Sequence, residues 1–453
     1  MPGRYQEYSE FKNSGVEWFG NIPSHWRVAG FKKHIASIVD YRGKTPAKTD
    51  NGILLVTARN IKKGKLDYSL SQEYIAPNDY SDVMSRGLPE IGHVLFTTEA
   101  PLGEVANIDK TDIALAQRII KFNGLDSELN NYYFKYLIMS EEFQQSLYLF
   151  ASGSTVKGIK AERFVYLRNL LPSYDEQQKI ANFLNHETVK IDTLIAKQEK
   201  LIELLKEKRQ AVISHAVTRG LNPHVPMKDS GVEWLGEVPE HWDKVVFRHF
   251  IKTRKGVAFS TSDFCDSGVR VVKASDIKQL SLRKSDIFLP ESFVNKYPKA
   301  FLKQGDIILS TVGSAAEVKN SAVGQIAMVP QELDSTMLNQ NTVVFDSSDN
   351  VIHKSFIFFL LQTTAYRDHL DLHAHGTANQ ASLNVADMLD FRCVIPSIKE
   401  QKNIVEYLYD FIERVVKLET KASDAIDLMK ERKTAIISAA VTGKIDVRNW
   451  SQL

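Results

Sequence analysis

Two long stretches of the chain carry apolar residues at the spacing expected of a helix that packs against another helix. The first, from about Asp175 to Thr218, contains neither proline nor glycine and approximates a heptad a/d pattern interrupted by Gln198. The second repeats this pattern about 224 residues later. Gly220 and Pro223 are predicted to end the first helix, and Gly443 the second. The predicted interface positions are Leu184, Ile191, Leu194, Leu201, Leu205 and Val212 in the first helix, and Leu408, Val415, Leu418, Ala425, Met429 and Ile436 in the second.

The helices belong to a longer internal duplication. SGVEWFGNIPSHW, from Ser14, returns as SGVEWLGEVPEHW from Ser230, with nine of thirteen positions identical. EKRQAVISHAVT, from Glu207, returns as ERKTAIISAAVT from Glu431, and PSYDEQQ returns as PSIKEQK. The shifts of 216 and 224 residues far exceed a solenoid period, so the repeated unit is a globular domain followed by a long helix.

Between these markers the two copies keep a recognisable pattern but differ in side chains. GHVLFTTEAPLG and GDIILSTVGSAA predict the same strand and turn, ALAQR corresponds to MLNQN, and ASGSTVKG corresponds to AHGTANQA. Neutral drift would explain the divergence, but it would not explain why the flanking segments stayed alike. We favour two readers that share a backbone and recognise different targets.

Chain continuity predicts the arrangement of these parts. The first helix leads from one globular domain to the next, and the second carries a similar apolar stripe that also needs a partner. The sequence therefore predicts a mixed α/β protein with two globular domains separated by two long antiparallel α-helices, related by an approximate two-fold internal repeat. The alternative is that each helix packs only against its own domain, which leaves both stripes without an obvious partner.

Composition narrows the class of protein. At 453 residues the chain is long enough for two to four domains, and 43% hydrophobic with 25% charged residues is typical of a soluble globular protein. Cys265 and Cys393 form no CxxC pattern, which favours a reducing compartment over a disulfide or zinc framework. The N-terminus lacks a signal-peptide core and the longest apolar run is far too short to cross a bilayer, so we expect a cytoplasmic protein without membrane association.

Positive charge is placed rather than abundant. The net charge is only +2, but residues 28–65 and 244–284 each carry a local excess of seven positive charges. This excess recurs at the equivalent place in both copies, which favours a phosphate-contacting surface in each domain over simple solvated lysines. Base reading also needs paired donors and acceptors such as those of Arg, Asn and Gln. The candidate DNA-binding residues in predicted loops are Arg42, Lys44, Thr45, Arg59, Asn60, Lys62, Lys157, Lys160, Arg254, Lys255, Lys273, Lys278, Asn379 and Gln380.

Two segments resemble nucleotide-binding or metal-binding motifs but lack residues that those motifs require. Gly43-Lys44-Thr45 lacks the first glycine of a P-loop, because position 38 is Ile38. His369, His373 and His375 lack the glutamate of a zinc-protease motif, so we expect no metal and no catalytic site. Trp18, Trp26, Trp234 and Trp242 lie in the repeated segment, where they either dock a partner or anchor the segment to its own domain; we favour anchoring.

The repeated SGVEW-x-G-x-[IV]-P-x-HW segment, the PS-x-x-EQ entry into each long helix and the run ending in AVT resemble the specificity subunits of Type I restriction–modification systems. The resemblance covers essentially the whole chain and includes its duplication. It implies an N-terminal conserved segment (1–27), target recognition domains (28–171 and 243–395), a central conserved helix region (172–221), a repeated connector (222–242), a C-terminal conserved helix region (396–445) and a tail (446–453).

In that family each target recognition domain reads one half of a gapped target in double-stranded DNA, and the helices set the gap. The resemblance further implies two modification subunits, which use S-adenosylmethionine to methylate adenine. It also implies up to two restriction subunits, which use ATP and magnesium. This chain would bind none of those cofactors and catalyse no reaction itself.

Two other classes of protein remain as alternatives. A non-catalytic coiled-coil scaffold with two protein-binding modules would bind DNA weakly and without salt dependence. A fused methyltransferase or nuclease would need cofactor and catalytic motifs that we do not find in the sequence.

Overall fold

The structure is a computed structural model that describes residues 5–41, 43, 46–153, 157–313, 323–347, 351–377 and 380–451, with only the backbone at 161, 377 and 380. The described chain forms two units. Unit 1 comprises Met1–Glu199 and Ser423–Leu453, and unit 2 comprises Lys200–Ala422. Each unit therefore contains one part of each long helix.

The strands and helices that begin in unit 1 are as follows. The strands are β1 (Phe11–Asn13), β2 (Asn21–Pro23), β3 (Arg27–Gly30), β4 (Ile35–Asp40), β5 (Ile53–Val56), β6 (Ile61–Lys62), β7 (Lys65–Leu66), β8 (Tyr74–Ile75), β9 (Val94–Thr98), β10 (Leu102–Asn107), β11 (Ile113–Leu115), β12 (Ile119–Gly124) and β13 (Arg168–Leu171). The helices are α1 (Tyr80–Val83), α2 (Asn131–Met139), α3 (Glu141–Phe150) and α4 (Tyr174–Arg219).

The remaining elements begin in unit 2. The strands are β14 (Met227–Asp229), β15 (Glu237–Pro239), β16 (Asp243–Val246), β17 (Ile251–Lys255), β18 (Val269–Val272), β19 (Ile277–Lys278), β20 (Ser281–Leu282), β21 (Phe288–Leu289), β22 (Ile307–Ser310), β23 (Val312–Gly313), β24 (Ile326–Met328), β25 (Met337–Leu338), β26 (Thr342–Ser347), β27 (His375–Thr377), β28 (Gln380–Ser382) and β29 (Arg392–Ile395). The helices are α5 (Ser292–Lys296), α6 (Lys354–Leu360), α7 (Thr364–Leu372), α8 (Val385–Leu389) and α9 (Ile398–Val441).

Unit 1 is built on an antiparallel sheet of order β10-β9-β12-β4, beside a smaller sheet of order β11-β5-β8 in which β11 and β5 run parallel. Every residue of β9 is buried, as expected for a central strand covered on both faces. One face of the larger sheet contributes to a core that contains Phe31, Phe122 and Phe164, whose ring centroids lie 5.2–5.7 Å apart. Helices α2 and α3 and the first part of α4 complete this core.

Unit 2 repeats this topology. Its larger antiparallel sheet has the order β24-β22-β26-β17, and its smaller sheet has the order β25-β18-β21 with β25 and β18 parallel. The strands predicted from GHVLFT and GDIILS are β9 and β22, which occupy the same place in the two sheets. The predicted common backbone with different side chains is confirmed.

The two long helices have the predicted extents. The structure places α4 within one residue of the predicted Asp175–Thr218 at each end, and α9 contains 44 residues. Gly220 and Gly443 follow the helices with φ of +78° and +74°, a conformation that glycine adopts without strain. The predicted glycine termini are therefore confirmed.

Within unit 1, α4 and α9 contact each other in antiparallel orientation. Leu184, Ile191 and Ile436 are buried in one core, and Met429 packs against it. An ion pair of 2.6 Å joins the Lys433 Nζ to an Asp192 carboxylate oxygen. The prediction for Leu194 is wrong, because its side chain is 43% exposed. Its neighbour Ile195 packs against the core instead. Ala425 is half-buried and flanks the buried Ile426.

Unit 2 contains the remaining parts of the same helices. Leu408 and Val415 are buried as predicted, whereas Leu205 and Val212 are half-buried. The predictions for Leu201 and Leu418 are wrong, because their side chains are 42% and 51% exposed. The helices are instead joined one residue further on by Glu419, which lies 3.7 Å from Arg209.

The physical reason for these three errors is the spacing of the buried positions. In α4 the buried and half-buried positions alternate by four and three residues from Leu184, through 188, 191, 195, 198, 202, 205, 209 and 212. Thr188, Gln198 and Arg209 belong to this series and are polar, so the hydrophobic signal there is weak. The exposed leucines at 194 and 201 gave a stronger but misplaced signal.

Candidate DNA interface

The first group of candidate residues lies on either side of β5 in unit 1. Arg42, Lys44 and Thr45 lie outside the described residues. Arg59 and Lys62 are exposed, on the turn before β6 and on β6 itself. Their side chains are therefore available to a phosphate or a base edge, and their role as DNA contacts stays a prediction.

Asn60, which lies between them, has a different role. Its side chain is fully buried, and its amide oxygen accepts from the Thr57 backbone N–H at 2.8 Å. Its amide nitrogen donates to the carbonyls of Asp67 and Ser71 at 3.0 and 2.9 Å. Because these contacts use the amide groups that would read adenine, the prediction that Asn60 contacts a base is wrong. Asn60 stabilises the turn that presents Arg59.

Arg254 on β17 is also a structural residue. Its Nε donates to Asp346 at 2.5 Å, its Nη1 donates to the carbonyls of Lys299 and Phe301 at 3.0 and 2.9 Å, and its Nη2 donates to Asp306 at 2.7 Å and to Asp346 at 3.4 Å, so all five N–H groups have an acceptor. Burial lowers the pKa of Arg254, but the two carboxylates outweigh burial and raise it above its ordinary value. Since no donor is left for DNA, the prediction for Arg254 as a DNA contact is wrong.

The other candidates are scattered over loops and strand ends. Lys157, Lys160 and Lys255 are exposed, whereas Lys273 and Lys278 are half-buried. Asn379 lies outside the described residues, and only the backbone of Gln380 is described, in β28. These residues stay predictions of DNA contact.

The structure adds a groove in unit 1 that the sequence did not single out. Two cavities of about 530 and 210 Å3 share Pro46 and Gln117 in their walls. The smaller one is lined by three cationic side chains, Lys48, Arg59 and Arg118. Lys48 pairs with Glu73 at 2.8 Å and Arg118 with Glu99 at 2.9 Å, so both cations are held in place yet remain about half exposed.

Gln117 and Arg118 follow β11 in the ALAQR segment, and Arg118 has a φ of +75°. The correspondence between ALAQR and MLNQN was a usable signal, because both segments end a strand at the same place in the two sheets. Neither Gln117 nor Arg118 is among the DNA-binding residues predicted from the sequence. Gln117 and Arg118 place a basic groove next to Arg59, the one sequence-predicted residue among the described residues of its wall.

The repeated segment is fastened to the start of α4 by a buried glutamate. Glu176 is 4% exposed and accepts from the Trp26 indole N–H at 3.1 Å and from the Tyr8 hydroxyl at 2.6 Å. The ring of His25 lies 2.9 Å from its other oxygen. Burial, followed by the hydrogen bond to Glu176, raises the pKa of Tyr8 well above its usual range.

The next residue, Gln177, fastens the helix to the globular part of unit 1. Its amide nitrogen donates to the carbonyls of Glu128 and Pro172 at 2.9 and 3.2 Å, and its oxygen accepts from the Asn130 backbone N–H at 2.9 Å. The Glu-Gln dipeptide thus joins three separate parts of the chain. This accounts for its retention in both copies.

Unit 2 contains the same arrangement. Glu400 accepts from the Trp242 indole at 3.2 Å and lies 2.9 Å from the ring of His241. Gln401 donates to the carbonyls of Val351 and Pro396, and its oxygen accepts from the His353 backbone N–H at 2.8 Å. The favoured interpretation of Trp26 and Trp242 as anchors is confirmed, because both are fully buried.

The other two tryptophans of the repeated segment, Trp18 and Trp234, have less similar surroundings than Trp26 and Trp242. Trp18 packs against the unit 1 core, and its ring centroid lies 6.2 Å from that of Phe150. Trp234 is 38% exposed and stacks on Phe391 at 5.0 Å. Both are therefore held by their own unit.

Two searches of the described residues bear on other kinds of function. No three His, Cys, Asp or Glu side chains among them lie close enough together to hold a metal ion. None of the helices in the described part of the chain is both long and apolar enough to cross a bilayer.

Comparison with known proteins gives consistent matches over both units. The model of the Type I restriction modification DNA specificity domain matches residues 35–204 and again residues 239–428. The MjaVIII specificity subunit of a Type I restriction enzyme from Methanocaldococcus jannaschii is 27% identical over 352 residues, which cover 77% of this chain and 76% of that protein. The EcoKI specificity subunit from Escherichia coli is 19% identical, and the match covers 94% and 90% of the two chains.

Solved structures show the same fold. A crystal structure of an HsdS subunit from Thermoanaerobacter tengcongensis aligns with a TM-score of 0.53 at 15% identity, covering 94% of this chain and 98% of that one. A chain from a structural study of complex assembly and conformational transition in a Type I R-M system aligns with a TM-score of 0.65 at 16% identity, covering 93% and 98%.

Proposed function

Because this chain belongs to the Type I restriction–modification DNA specificity family, we propose that it directs a modification and restriction complex to a gapped sequence in double-stranded DNA. The chain itself is the non-catalytic subunit. Its partners would be two modification subunits that use S-adenosylmethionine, with up to two restriction subunits that use ATP and magnesium. The proposed site of action is the cytoplasm, where the host DNA lies.

The observation that carries this proposal is the pairing of one shared backbone with two different surfaces. Both units have the same sheet order and the same Glu-Gln attachment to a long helix. The strand ends and turns carry different side chains, such as Arg59 in unit 1 and Ser275 at the equivalent place in unit 2. Two such units are suited to reading two different half-targets.

Within each half-target, cationic side chains would contact phosphates and a smaller number of groups would read bases. In unit 1 the basic groove with Lys48, Arg59 and Arg118 fits this division of labour, because Arg can donate two hydrogen bonds to guanine. Loss of one such base contact costs about 1–3 kcal/mol of discrimination at one position of the target. Loss of a phosphate contact weakens binding to all sequences alike.

The paired helices α4 and α9 would determine the length of the gap. Two readers on one face of B-DNA lie about one helical turn, roughly 34 Å, or a multiple of it apart. A continuous helix of 46 residues at about 1.5 Å per residue is long enough for such a spacing. We also assign the docking of the modification subunits to these helices.

The test is to map methylated adenines in a host that expresses the chain together with its neighbouring modification subunit. We expect a two-part motif with a fixed gap. Replacing residues 28–171 with those of a relative should change one half of the motif and leave the other half and the gap unchanged. The intact chain is the matched control.

A continuous motif, or a substitution in one unit that alters both halves, would contradict the proposal. Salt dependence distinguishes the scaffold alternative, since a DNA reader with several phosphate contacts loses affinity steeply as salt increases. A scaffold would bind DNA weakly at every salt concentration.

A further inference from the structure

A cleft in unit 1 collects lysines without enough carboxylates to neutralise them. It lies between the β6–β7 hairpin, helix α2 and the part of the paired helices that belongs to unit 1. A small cavity of about 70 Å3 opens beside a larger one of about 680 Å3, and both are lined by Lys63, Lys65 and Lys433. The small cavity also reaches Lys135 on α2. We call these four lysines and their cavities the lysine cleft.

Asp192 on α4 neutralises only part of this charge. One of its oxygens accepts from Lys65 at 2.7 Å and the other from Lys433 at 2.6 Å. Burial raises the pKa of Asp192, but the two lysine hydrogen bonds outweigh burial and lower it below its ordinary value. The carboxylate is thus fully engaged by two lysines and leaves Lys135 without a counter-ion.

Lys135 is a buried lysine without a counter-ion in the described part of the chain. It is only 8% exposed, and no oxygen among the described residues accepts a hydrogen bond from its ammonium. Its nearest favourable contact is the face of Tyr136, with 4.2 Å between the ammonium and the ring centroid. Burial, together with the nearby Lys433 and Lys65, lowers the pKa of Lys135 to about 8. An unpaired buried ammonium costs stability, so a bound anion would relieve an unfavourable contact.

Unit 2 shows that the fold does not require a lysine here. The Asn130 and His353 backbone N–H groups make the same hydrogen bond to Gln177 and Gln401, which aligns α2 with α6. Counting from these residues, Phe358 takes the place of Lys135 and packs against the unit 2 core.

The β6–β7 hairpin of unit 1 and the β19–β20 hairpin of unit 2 also differ in charge. β6–β7 and β19–β20 have the same register, but Lys63 and Lys65 correspond to Gln279 and Ser281. Three of the four lysines thus have uncharged counterparts in unit 2, and only Lys433 corresponds to another cation, Arg209. Packing alone does not explain this difference, since apolar and neutral residues serve in unit 2.

We propose that the lysine cleft of unit 1 binds a phosphate group through Lys63, Lys65, Lys135 and Lys433. The group is either a phosphate of the DNA backbone or a free phosphate-bearing anion, and the same chemistry serves both. Lysine is a compact point charge suited to phosphate, and the recessed Lys135 supplies a contact that exposed lysines lack. The DNA case rests on the proposed function, whereas the free-anion case does not.

The test uses the full chain and the variant Lys135→Met, which keeps the length of the side chain and removes its charge. Lys12→Met is the matched control, because Lys12 is exposed on β1 of the same unit. Thermal unfolding is measured against inorganic phosphate, with chloride at equal ionic strength as the reference. We expect a saturable rise in Tm with phosphate for the intact chain and for Lys12→Met, and none for Lys135→Met.

Without phosphate, Lys135→Met should unfold at a higher temperature than the intact chain, since an unpaired buried charge is gone. This result would also show that the variant folds. Equal saturable stabilisation of both variants by phosphate would overturn the proposal. So would a rise that never saturates and is the same in all three chains, since phosphate salts stabilise most proteins in that way.

DNA binding then identifies the source of the phosphate. If the cleft takes a backbone phosphate, Lys135→Met should reduce the slope of log K against log salt by about one, whereas Lys12→Met leaves it unchanged. An unchanged slope together with lost phosphate binding assigns the cleft to a free anion. If the chain binds no DNA, the proposed function fails while the phosphate titration still decides whether the cleft binds phosphate.

Discussion

The two units build the same sheet around different internal polar groups. In unit 2 the guanidinium of Arg254 lies between Asp306 and Asp346, and Lys354 adds a second cation 3.2 Å from Asp306. In unit 1 the residue after the equivalent glycine turn is His93 in place of Asp306. Both glycines, Gly92 and Gly305, have a positive φ of +84° and +80°.

The rest of the network differs in the same way. Asn123 and Asn131 in unit 1 stand where unit 2 has Asp346 and Lys354, and they hydrogen-bond to each other at 2.8 Å. Two different polar networks therefore support the same strand order, because unit 1 pairs two asparagines here and places a buried cation, Lys121, against Glu90. Hydrophobic burial and strand pairing therefore determine the sheet topology of each unit. The polar groups beneath the sheet can be exchanged, provided that interacting groups are exchanged together.

The largest expected effect comes from breaking the charged network in unit 2. Arg254→Met removes the cation between two carboxylates and leaves Asp306, which is 2% exposed, with the ammonium of Lys354 and the Lys303 backbone N–H. We expect unit 2 to lose about 3–5 kcal/mol of unfolding free energy, as for other broken buried ion pairs. Urea denaturation followed by hydrogen-exchange mass spectrometry would report the peptides of unit 2 apart from those of unit 1.

The unit 1 residues provide a control for this experiment. The triple variant Arg254→Val, Asp306→His and Asp346→Asn introduces the residues that unit 1 has at these positions, Val39, His93 and Asn123, and leaves no carboxylate of the pair behind. It should lose less stability than Arg254→Met. A triple variant that is less stable than the single variant would contradict the idea that the two networks are exchangeable.

The next effect distinguishes the helix contacts of the two units. Ile191 and Val415 are equivalent residues of α4 and α9, and they are 4% and 3% exposed. Ile191→Ala should destabilise unit 1 by about 2–4 kcal/mol, because it leaves a cavity in the interface. Val415→Ala removes fewer carbon atoms and should cost unit 2 less.

Leu194→Ala is the matched control for the corrected interface. Its side chain is 43% exposed, so the substitution should change the urea midpoint of unit 1 only slightly. If Leu194→Ala were as harmful as Ile191→Ala, the corrected positions would be wrong and the original pattern right.

A smaller difference is expected at the glutamates that fasten the repeated segment. Glu176→Ala leaves the Tyr8 hydroxyl and the Trp26 indole without their acceptor, at about 1–3 kcal/mol for each buried group. Glu400→Ala affects Trp242 and the exposed His241, and the Glu400 side chain is itself 30% exposed. The loss in unit 2 should therefore be the smaller one.

Hydrogen exchange of the peptides that contain Trp26 and Trp242 measures this difference directly. Glu176→Gln keeps an oxygen acceptor and should recover part of the lost stability. Equal losses from Glu176→Ala and Glu400→Ala would show that burial of the glutamate does not matter for the attachment.

The sequence was a good guide to elements and a poor guide to individual contacts. The bounds of α4 and its glycine terminus follow from local signals, namely the absence of proline and glycine and a long periodic stretch. The internal duplication also predicts that the two sheets are alike. These features depend on residues that are close together in the chain or repeated within it.

The errors have long-range causes. Asn60 is buried because the chain turns back to bring two carbonyls within 3.0 Å of its amide. Arg254 finds its carboxylates 52 and 92 residues away, on β22's flank and on β26. Polar residues such as Arg209 and Glu419 satisfy each other at an interface that a hydrophobic pattern cannot reveal. Arg59 and Lys62 are exposed as a DNA contact must be, and that role stays a prediction.

The smallest expected effect is a pH dependence that only the unit 1 network, with His93 in place of Asp306, should show at this position. Burial, the largest cause, and the nearby Lys121 lower the pKa of His93, although Glu90 raises it. The folded chain therefore holds His93 neutral at a pH where the unfolded chain, with a pKa of about 6.5, binds a proton. Below that pH the unfolded state takes up more protons, so the stability of unit 1 should decrease as the pH falls from 7 to 5.

His93→Asn should remove this contribution and leave the urea midpoint of unit 1 less sensitive to pH over the same range. The difference should grow as the pH falls below the pKa of the unfolded histidine, because only the unfolded chain then takes up this proton. His34 also has a pKa lowered by burial and stays in the variant, so some pH dependence should remain. If the intact chain and His93→Asn lost the same stability between pH 7 and 5, His93 would not be the group that makes the unit 1 network sensitive to acid.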